Sequence, residues 1–176
     1  MSIRGPWLSW QHRRGNERGA ALVEFVVILP LFVILVMGLV SGGTLYNHKS
    51  NLVNAAREGA RYGATIPQNQ CTPSANCGGQ TWAQLVQLVV TQRSNGDLTT
   101  GQVCVALVSG SNGTVVGDTS QSSFTTNGTS QCYNDGNGDT GTRVQVSARR
   151  TGDAINLAFS TIPVTLTTSS TAKFEQ

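Results

Sequence analysis

The amino-acid sequence predicts an α+β protein in which one long N-terminal helix packs on a small antiparallel β-sheet. An unbroken apolar run from Ala20 to Val40 is long enough to cross a bilayer, since about 20 apolar residues span the hydrocarbon core as a helix. Helix-favouring sequence without proline continues from Leu45 to Ala64. The polar remainder contains segments of alternating apolar residues, which are typical of half-buried strands.

The apolar run divides the chain into four segments. Residues 1–19 are a basic leader, 20–40 a transmembrane helix, 41–64 a helical extension and 65–176 an exported α+β domain. A helix is favoured within the bilayer because a spanning segment must satisfy its own backbone hydrogen bonds. If it runs unbroken to Ala64, the helix is about 67 Å long at 1.5 Å per residue. The Gly42-Gly43 pair is expected to loosen it.

The distribution of charge indicates the orientation in the membrane. The formal net charge of +3 comes from the leader, where four arginines oppose one glutamate. From Ala20 onward basic and acidic residues are equal in number. The positive-inside rule then predicts a single-pass membrane protein with a cytoplasmic N-terminus and an extracytoplasmic C-terminal domain. A basic excess confined to the leader does not indicate a nucleic-acid partner.

All four cysteines follow the apolar run. An even number in an oxidising compartment suggests two disulfides, and four cysteines allow three pairings. Proximity suggests Cys71 with Cys77 and Cys104 with Cys132. Free buried thiols are the alternative, and the spacing does not favour zinc because no CxxC is present.

The exported domain contains one predicted helix and several strands. Thr81 and Gln84 have the spacing of a capping box at the start of a helix that ends near Arg93, although its β-branched residues leave a strand from Leu85 open. The remaining elements follow from alternation and turn residues. They are a strand over 102–109, a turn at Asn112-Gly113, strands over 114–116, 142–149 and 164–174, a long loop over 117–141 and a short helix over Gly152 to Phe159.

No constellation of catalytic residues is present, so the sequence does not predict an enzyme or a cofactor. Asp135, Asn137 and Asp139 place oxygen ligands at alternate positions, as the start of a calcium loop does. The glycine and the terminal acid of such a loop are missing, since Thr140 and Val146 stand there. A Gly/Asn/Asp turn is the favoured interpretation, and no metal is predicted.

The junction between leader and apolar run has a recognisable form. It reads Arg18-Gly19-Ala20-Ala21-Leu22-Val23-Glu24-Phe25. The run is longer than the core of a secretory signal and no A-x-A site ends it, which disfavours a conventional cleaved signal. The junction resembles the processing site of type IV prepilins and pseudopilins. That resemblance implies that a membrane prepilin peptidase cuts between Gly19 and Ala20 and leaves the helix on the mature protein.

Several residues of the run are candidate contacts between helices. A carboxylate near the edge of a membrane helix costs a few kcal/mol if it is unpaired. Glu24 could pair with the new α-amino group of Ala20, on its own or a neighbouring subunit, or reach the headgroups instead. Pro30 is expected to kink the helix. Gly38 and Gly42 form a small-xxx-small pair that allows close helix approach.

The string AAREGARYGA, which begins at Ala55, completes a second resemblance. With the glycine junction, Glu24 and Pro30, residues 18–64 resemble the TadE-like pseudopilins, minor components of the tight-adherence (type IVc) pilus system. Phe25 departs from the tyrosine that the related Flp-type pilins usually carry. The resemblance implies a role in pilus assembly, adhesion or secretion, with other pilins and pseudopilins, the assembly platform, the prepilin peptidase and membrane lipid as partners.

Two interpretations stay open for residues 56–61, which are called the AREGAR element after their sequence. Arg57, Glu58, Gly59 and Arg61 are packing or assembly contacts, or Glu58 and Arg61 are an i,i+3 pair on a solvated helix face. The function has alternatives as well. One is an unprocessed, signal-anchored extracytoplasmic binding module with no pilus role. A major pilin is disfavoured because the exported domain is large for a Flp-type filament subunit.

Overall fold

A computed structural model describes residues 17–71, 74–111, 113–120, 140–157 and 160–174. It contains two α-helices and four strands in the described ranges. Helix α1 spans Glu17–Thr65, α2 Trp82–Arg93, β1 Val103–Ser109, β2 Thr114–Thr119, β3 Arg143–Leu157 and β4 Ser160–Lys173. Short 3-10 turns occupy Gln68–Cys71, Ser74–Cys77 and Thr100–Gln102. The predicted α+β class, a long N-terminal helix on a small antiparallel sheet, is confirmed.

Helix α1 is continuous for 49 residues, with Pro30 inside it. The helix passes through Gly42 and Gly43 without interruption, so the expected loosening does not break it. Its two halves have different surroundings. The apolar half is exposed, whereas the half after Ser41 lies against the rest of the protein.

The sheet has the order β2-β1-β3-β4, and every neighbouring pair is antiparallel. A turn closed by a hydrogen bond from the Gly113 N–H to the Gly110 carbonyl joins β1 to β2, as the Asn-Gly signal predicts. Most of the predicted loop over 117–141 lies outside the described residues, although β2 itself continues to Thr119.

The short helix predicted from Gly152 to Phe159 is wrong over the residues that the structure describes. Residues up to Leu157 continue β3, and Ile155 pairs with Ile162 of β4. Gly152 has φ +97°, a backbone conformation that glycine adopts readily, and the register shifts between Arg150 and Asp153. A bulge and a cross-strand partner stabilise this segment as a strand, and neither is visible in a local sequence pattern.

One hydrophobic core joins the C-terminal half of α1 to α2 and the sheet. Because α1 supplies small side chains, its axis can lie close to both neighbours. Members of the core that are at most 1% exposed include Leu52, Ala55, Ala56 and Ala60 of α1, Trp82, Val86 and Val90 of α2, and Val103, Val105, Val144 and Val146 of the sheet. The C-terminal half of α1 is therefore the central element of the domain.

Helix α2 begins as the sequence predicts. The Gln84 N–H donates to Thr81 Oγ1 at 3.4 Å, and the Thr81 N–H donates to Gln84 Oε1 at 3.0 Å. This reciprocal pair satisfies two backbone donors that a helix start leaves free. The helical interpretation of this segment is thus confirmed over the strand.

A disulfide closes the loop after α1. Cys71 and Cys77 are bonded, with an S–S distance of 2.08 Å, as their proximity suggests. Cys104 is buried on β1 and is also disulfide-bonded. Cys132 lies outside the described residues, so the predicted pairing of Cys104 with Cys132 stays a prediction.

Candidate assembly interface

The apolar half of α1 is exposed to its surroundings on nearly all sides. Apart from the half-buried Ile34, its large side chains from Leu22 to Val40 are between 39% and 72% exposed. The helix is long and apolar enough to cross a membrane, and its most apolar stretch has no buried residue. A surface of this kind and size is stable only against lipid or against other helices.

The candidate assembly residues lie along this exposed half. Gly19 and Ala20 are already helical, because α1 begins at Glu17. Glu24 is the acidic residue of the apolar run, and its side chain is exposed with that of Phe25. Pro30 and Gly42 are exposed as well, and Gly38 is half-buried. Among the described residues no hydrogen bond or ion pair to the Glu24 side chain is present.

The AREGAR element divides between two faces of α1. Gly59 is buried, whereas Arg57, Glu58 and Arg61 are exposed. In the described part of the chain no ion pair within 4 Å joins Glu58 to Arg61. The glycine is therefore a packing residue of this domain, and the three charged side chains lie on its outer surface.

Gly59 and Gly63 are the points of closest approach between α1 and its neighbours. A Cβ added at Gly59 would lie 2.1 Å from Cγ2 of Val90 on α2. A Cβ at Gly63 would lie 2.9 Å from Cγ1 of Val144 and 3.1 Å from Cγ2 of Val86. Atoms this close overlap, so only glycine allows α1 to pack here. Gly59 and Gly63 thus allow the long helix to pack closely against the rest of the domain.

Trp82 fixes the end of α1 against the start of α2. Its indole Nε1–H donates to the carbonyls of Gly63, at 3.3 Å, and Ile66, at 3.2 Å. Carbonyls at the end of a helix lack partners within the helix, so this donor satisfies groups that burial would otherwise leave unpaired. The ring also packs against Phe174 with a centroid distance of 6.3 Å.

A polar cluster joins α1 to the rest of the domain at the end of its packed half nearer the apolar run. Asp97, in the connection between α2 and β1, lies at its centre. Its Oδ1 is 3.0 Å from His48 Nδ1, and Asn51 Nδ2 donates to its Oδ2 at 3.1 Å. Arg150 of β3 donates to Asp97 Oδ1, and its Nε donates to Asp153 at 3.0 Å.

The electrostatics of the cluster stabilise the ionised carboxylate. Burial alone would raise the pKa of Asp97. The hydrogen bonds from Asn51 and His48 and the charge of Arg150 outweigh burial, and the pKa lies below its ordinary value. The sequence analysis missed this cluster because residues that contact one another are up to 53 positions apart, as Arg150 is from Asp97, and each is an ordinary residue type for a polar surface.

The candidate calcium ligands Asp135, Asn137 and Asp139 lie outside the described residues. Among the residues that are described, no group of three or more His, Cys, Asp or Glu side chains could hold a metal ion.

Comparison with known proteins identifies the N-terminal part of the chain. Residues 19–61 match the model of the family described as TadE-like protein. The similarity to this family is confined to that N-terminal segment. Neither a curated protein nor a solved structure matches it significantly.

The TadE-like match confirms the family resemblance and coincides with one structural element. It begins at Gly19 and ends at Arg61, so it covers the exposed apolar half of α1 and most of its packed half, including Gly59. Helix α2 and the whole sheet lie beyond it. The matched segment therefore includes two kinds of surface. One is the exposed apolar half of α1, which requires lipid or other helices around it, and the other is the part of α1 that packs in the domain core.

Proposed function

We propose that the chain is a minor pseudopilin of a tight-adherence (type IVc) pilus system, cut after Gly19 by a prepilin peptidase and acting in pilus assembly and adhesion. The observation that carries the proposal is the TadE-like match along a helix that is exposed over its apolar half and packed over the other. A family of pilus components gives that exposed half a partner: the membrane before assembly and neighbouring helices during it.

The rigid connection between helix and domain supports the same role. Helix α1 has no break between its apolar half and the core, and Gly59 holds it within contact distance of α2. Helices of neighbouring subunits that pack together would therefore place their domains in a defined relative position. An anchor that only tethers a binding module does not need such a connection.

Glu24 has a specific part in the proposal. Cleavage after Gly19 would create a positive α-amino group at Ala20, one helical turn before Glu24. The amino group of the same or a neighbouring subunit would pair with the carboxylate and offset its desolvation in the bilayer. Because only one axial alignment brings the two groups together, the pair would also set the register between helices.

Processing is tested by the N-terminal sequence and intact mass of the protein extracted from membranes. In cells that contain the prepilin peptidase we expect a chain that starts at Ala20. In cells without the peptidase we expect the leader to remain. An intact leader in both strains would instead support the alternative, a signal-anchored binding module that is never processed.

The assembly role of Glu24 is tested with Glu24→Ala, Glu24→Gln and the control Val23→Ala. Both Glu24 variants should be inserted and cleaved but should assemble far fewer pili, because the interhelical charge pair is lost. Val23→Ala removes apolar side-chain volume next to it and should assemble normally. Quantification of sheared pili measures the effect, and normal piliation of Glu24→Ala would contradict the proposed pairing.

A further inference from the structure

The hairpin of β3 and β4 extends beyond the rest of the sheet. The last residue pair between β1 and β3 is Val103 with Ala148. The pairing of β3 with β4 continues beyond that point and ends with Leu157 and Ser160. The segments 149–157 and 160–167 thus form a two-stranded ribbon. An isolated two-stranded ribbon is marginally stable in water, so its position depends on the element it packs against.

That element is α1, and the ribbon follows it towards the apolar run. Lys49 Nζ donates to the carbonyl of Thr167. Nearer the membrane, Ser41 Oγ donates to the carbonyl of Asn156 at 3.2 Å. Ser41 is only 8% exposed, although Val40 and Gly42 on either side of it are exposed. The far end of the ribbon therefore lies level with Ser41.

Ser41 directly follows the apolar run. A run from Ala20 to Val40 is about 30 Å long, which equals the hydrocarbon thickness of a bilayer. The headgroup layers bring the total to about 40–45 Å, so each adds about 5–8 Å beyond the hydrocarbon. At about 1.5 Å per residue, the five residues from Ser41 to Leu45 span about the thickness of one headgroup layer. The end of the ribbon is therefore at the depth of the headgroups.

The composition of the ribbon suits that depth. No Asp, Glu, Lys or Arg occurs from Ala154 to Ala172. Ile162 is 48% exposed and pairs with Ile155. Tyr46 of α1, the residue after Leu45, is 78% exposed, and tyrosine is enriched at membrane interfaces. Exposed apolar side chains and an absence of charge make contact with lipid favourable and contact with bulk water unfavourable.

The opposite end of the sheet provides a comparison. The large apolar residues Val115 and Val116 of β2 are also exposed. Val115 pairs with Val108, which pairs in turn with Arg143 at the end of β3 farthest from the ribbon. These two valines are therefore distant from the membrane side and serve as an internal control.

We infer that the end of the β3–β4 ribbon, residues 154–157 and 160–163, is a second membrane contact that lies in the headgroup layer beside α1, with Ile162 against the lipid. The inference rests on α1 crossing the membrane and not on the pilus role. Its partner is the leaflet from which α1 emerges. Two contacts, one helix and one ribbon, would fix the rotation of the domain about the membrane normal.

The test uses the full chain, one copy per phosphatidylcholine nanodisc, with tryptophan introduced as a depth probe. Ile162→Trp and Thr161→Trp place the probe on the ribbon end, and Val116→Trp places it on the distant end of the sheet. Subtracting the wild-type spectrum removes the emission of Trp7, Trp10 and Trp82. Discs made with lipid brominated near the headgroup end of the acyl chains quench tryptophans at that depth.

We expect the added emission of both ribbon variants to be blue-shifted and to lose intensity in the brominated discs, while Val116→Trp keeps its intensity. Near-UV circular dichroism identifies which variants keep the native fold. If the folded ribbon variants are no more quenched than Val116→Trp, the inference is overturned. A blue shift without quenching would show burial against protein and would overturn it too. In either case incorporation into discs and cleavage after Gly19 are measured separately.

Discussion

Replacing Gly59 by alanine places a methyl group where α1 and α2 touch. The added carbon would lie 2.1 Å from Cγ2 of Val90, whereas non-bonded carbons rest about 3.5–4.0 Å apart. Val90 is fully buried and cannot move aside. Overpacking costs about 1–3 kcal/mol, and an overlap above 1 Å belongs at the upper end. Alanine recovers about 1 kcal/mol of helix propensity. We expect Gly59→Ala to lower the free energy of unfolding by about 2 kcal/mol.

The assay is denaturant unfolding of the full chain in detergent, followed by near-UV circular dichroism of the packed Trp82. Gly43→Ala is the matched control, because it lies on the same helix with nothing within 4 Å of its added carbon. It should be neutral or stabilising by up to about 1 kcal/mol. Val90→Ala removes the clashing methyl group, so combining it with Gly59→Ala should cost less than the two single changes together.

The reasoning would be refuted by a Gly59→Ala protein as stable as the wild type. It would also be refuted if Gly59→Ala and Val90→Ala were additive to within about 0.3–0.5 kcal/mol, since independent sites behave in that way. Either result would mean that α1 and α2 separate at little cost, and that Gly59 is not the residue that determines their distance.

Two further changes test the contacts at either end of the packed half of α1, with the same unfolding assay read out by far-UV circular dichroism. Trp82→Phe keeps an aromatic ring but removes the donor to the helix-end carbonyls, and should cost about 1–3 kcal/mol. Equal stability would show that solvent replaces the indole. Asp97→Asn removes the charge partner of Arg150 and should cost about 1–3 kcal/mol at pH 7. Because the folded pKa of Asp97 is lowered, its contribution is fully present above the ordinary value of 3.8 and is lost as the pH falls through the folded pKa. The stability difference between wild type and Asp97→Asn should therefore shrink in that acidic range, and a difference that does not depend on pH would contradict this account.

The elements with strong local signals were predictable from the sequence. The apolar run and the proline-free segment after it predict α1, and the spacing of Thr81 and Gln84 predicts the start of α2. The Asn-Gly turn predicts the β1–β2 hairpin. In each case the residues that determine the structure are within a few positions of one another, so their pattern is visible in the chain.

The features that depend on distant residues were not predictable. The end of β3 is a strand because Ile155 meets Ile162 across a hairpin, and a bulge at Gly152 makes the preceding segment irregular. The Asp97 cluster unites three separate parts of the chain. The role of Gly59 was visible only as part of a motif, because its need for glycine comes from a side chain on another helix.

The uninterrupted path of α1 from Glu17 to Thr65 has a mechanical consequence. If the apolar half of this helix crosses a bilayer, its two ends, one in lipid and one in the domain core, cannot slide or rotate independently. A pull that lifts the helix out of the bilayer raises the sheet by the same amount, about 1.5 Å for each residue extracted. A force applied to the domain would thus be transmitted along α1 to its apolar half, because the helix contains no hinge that could absorb it.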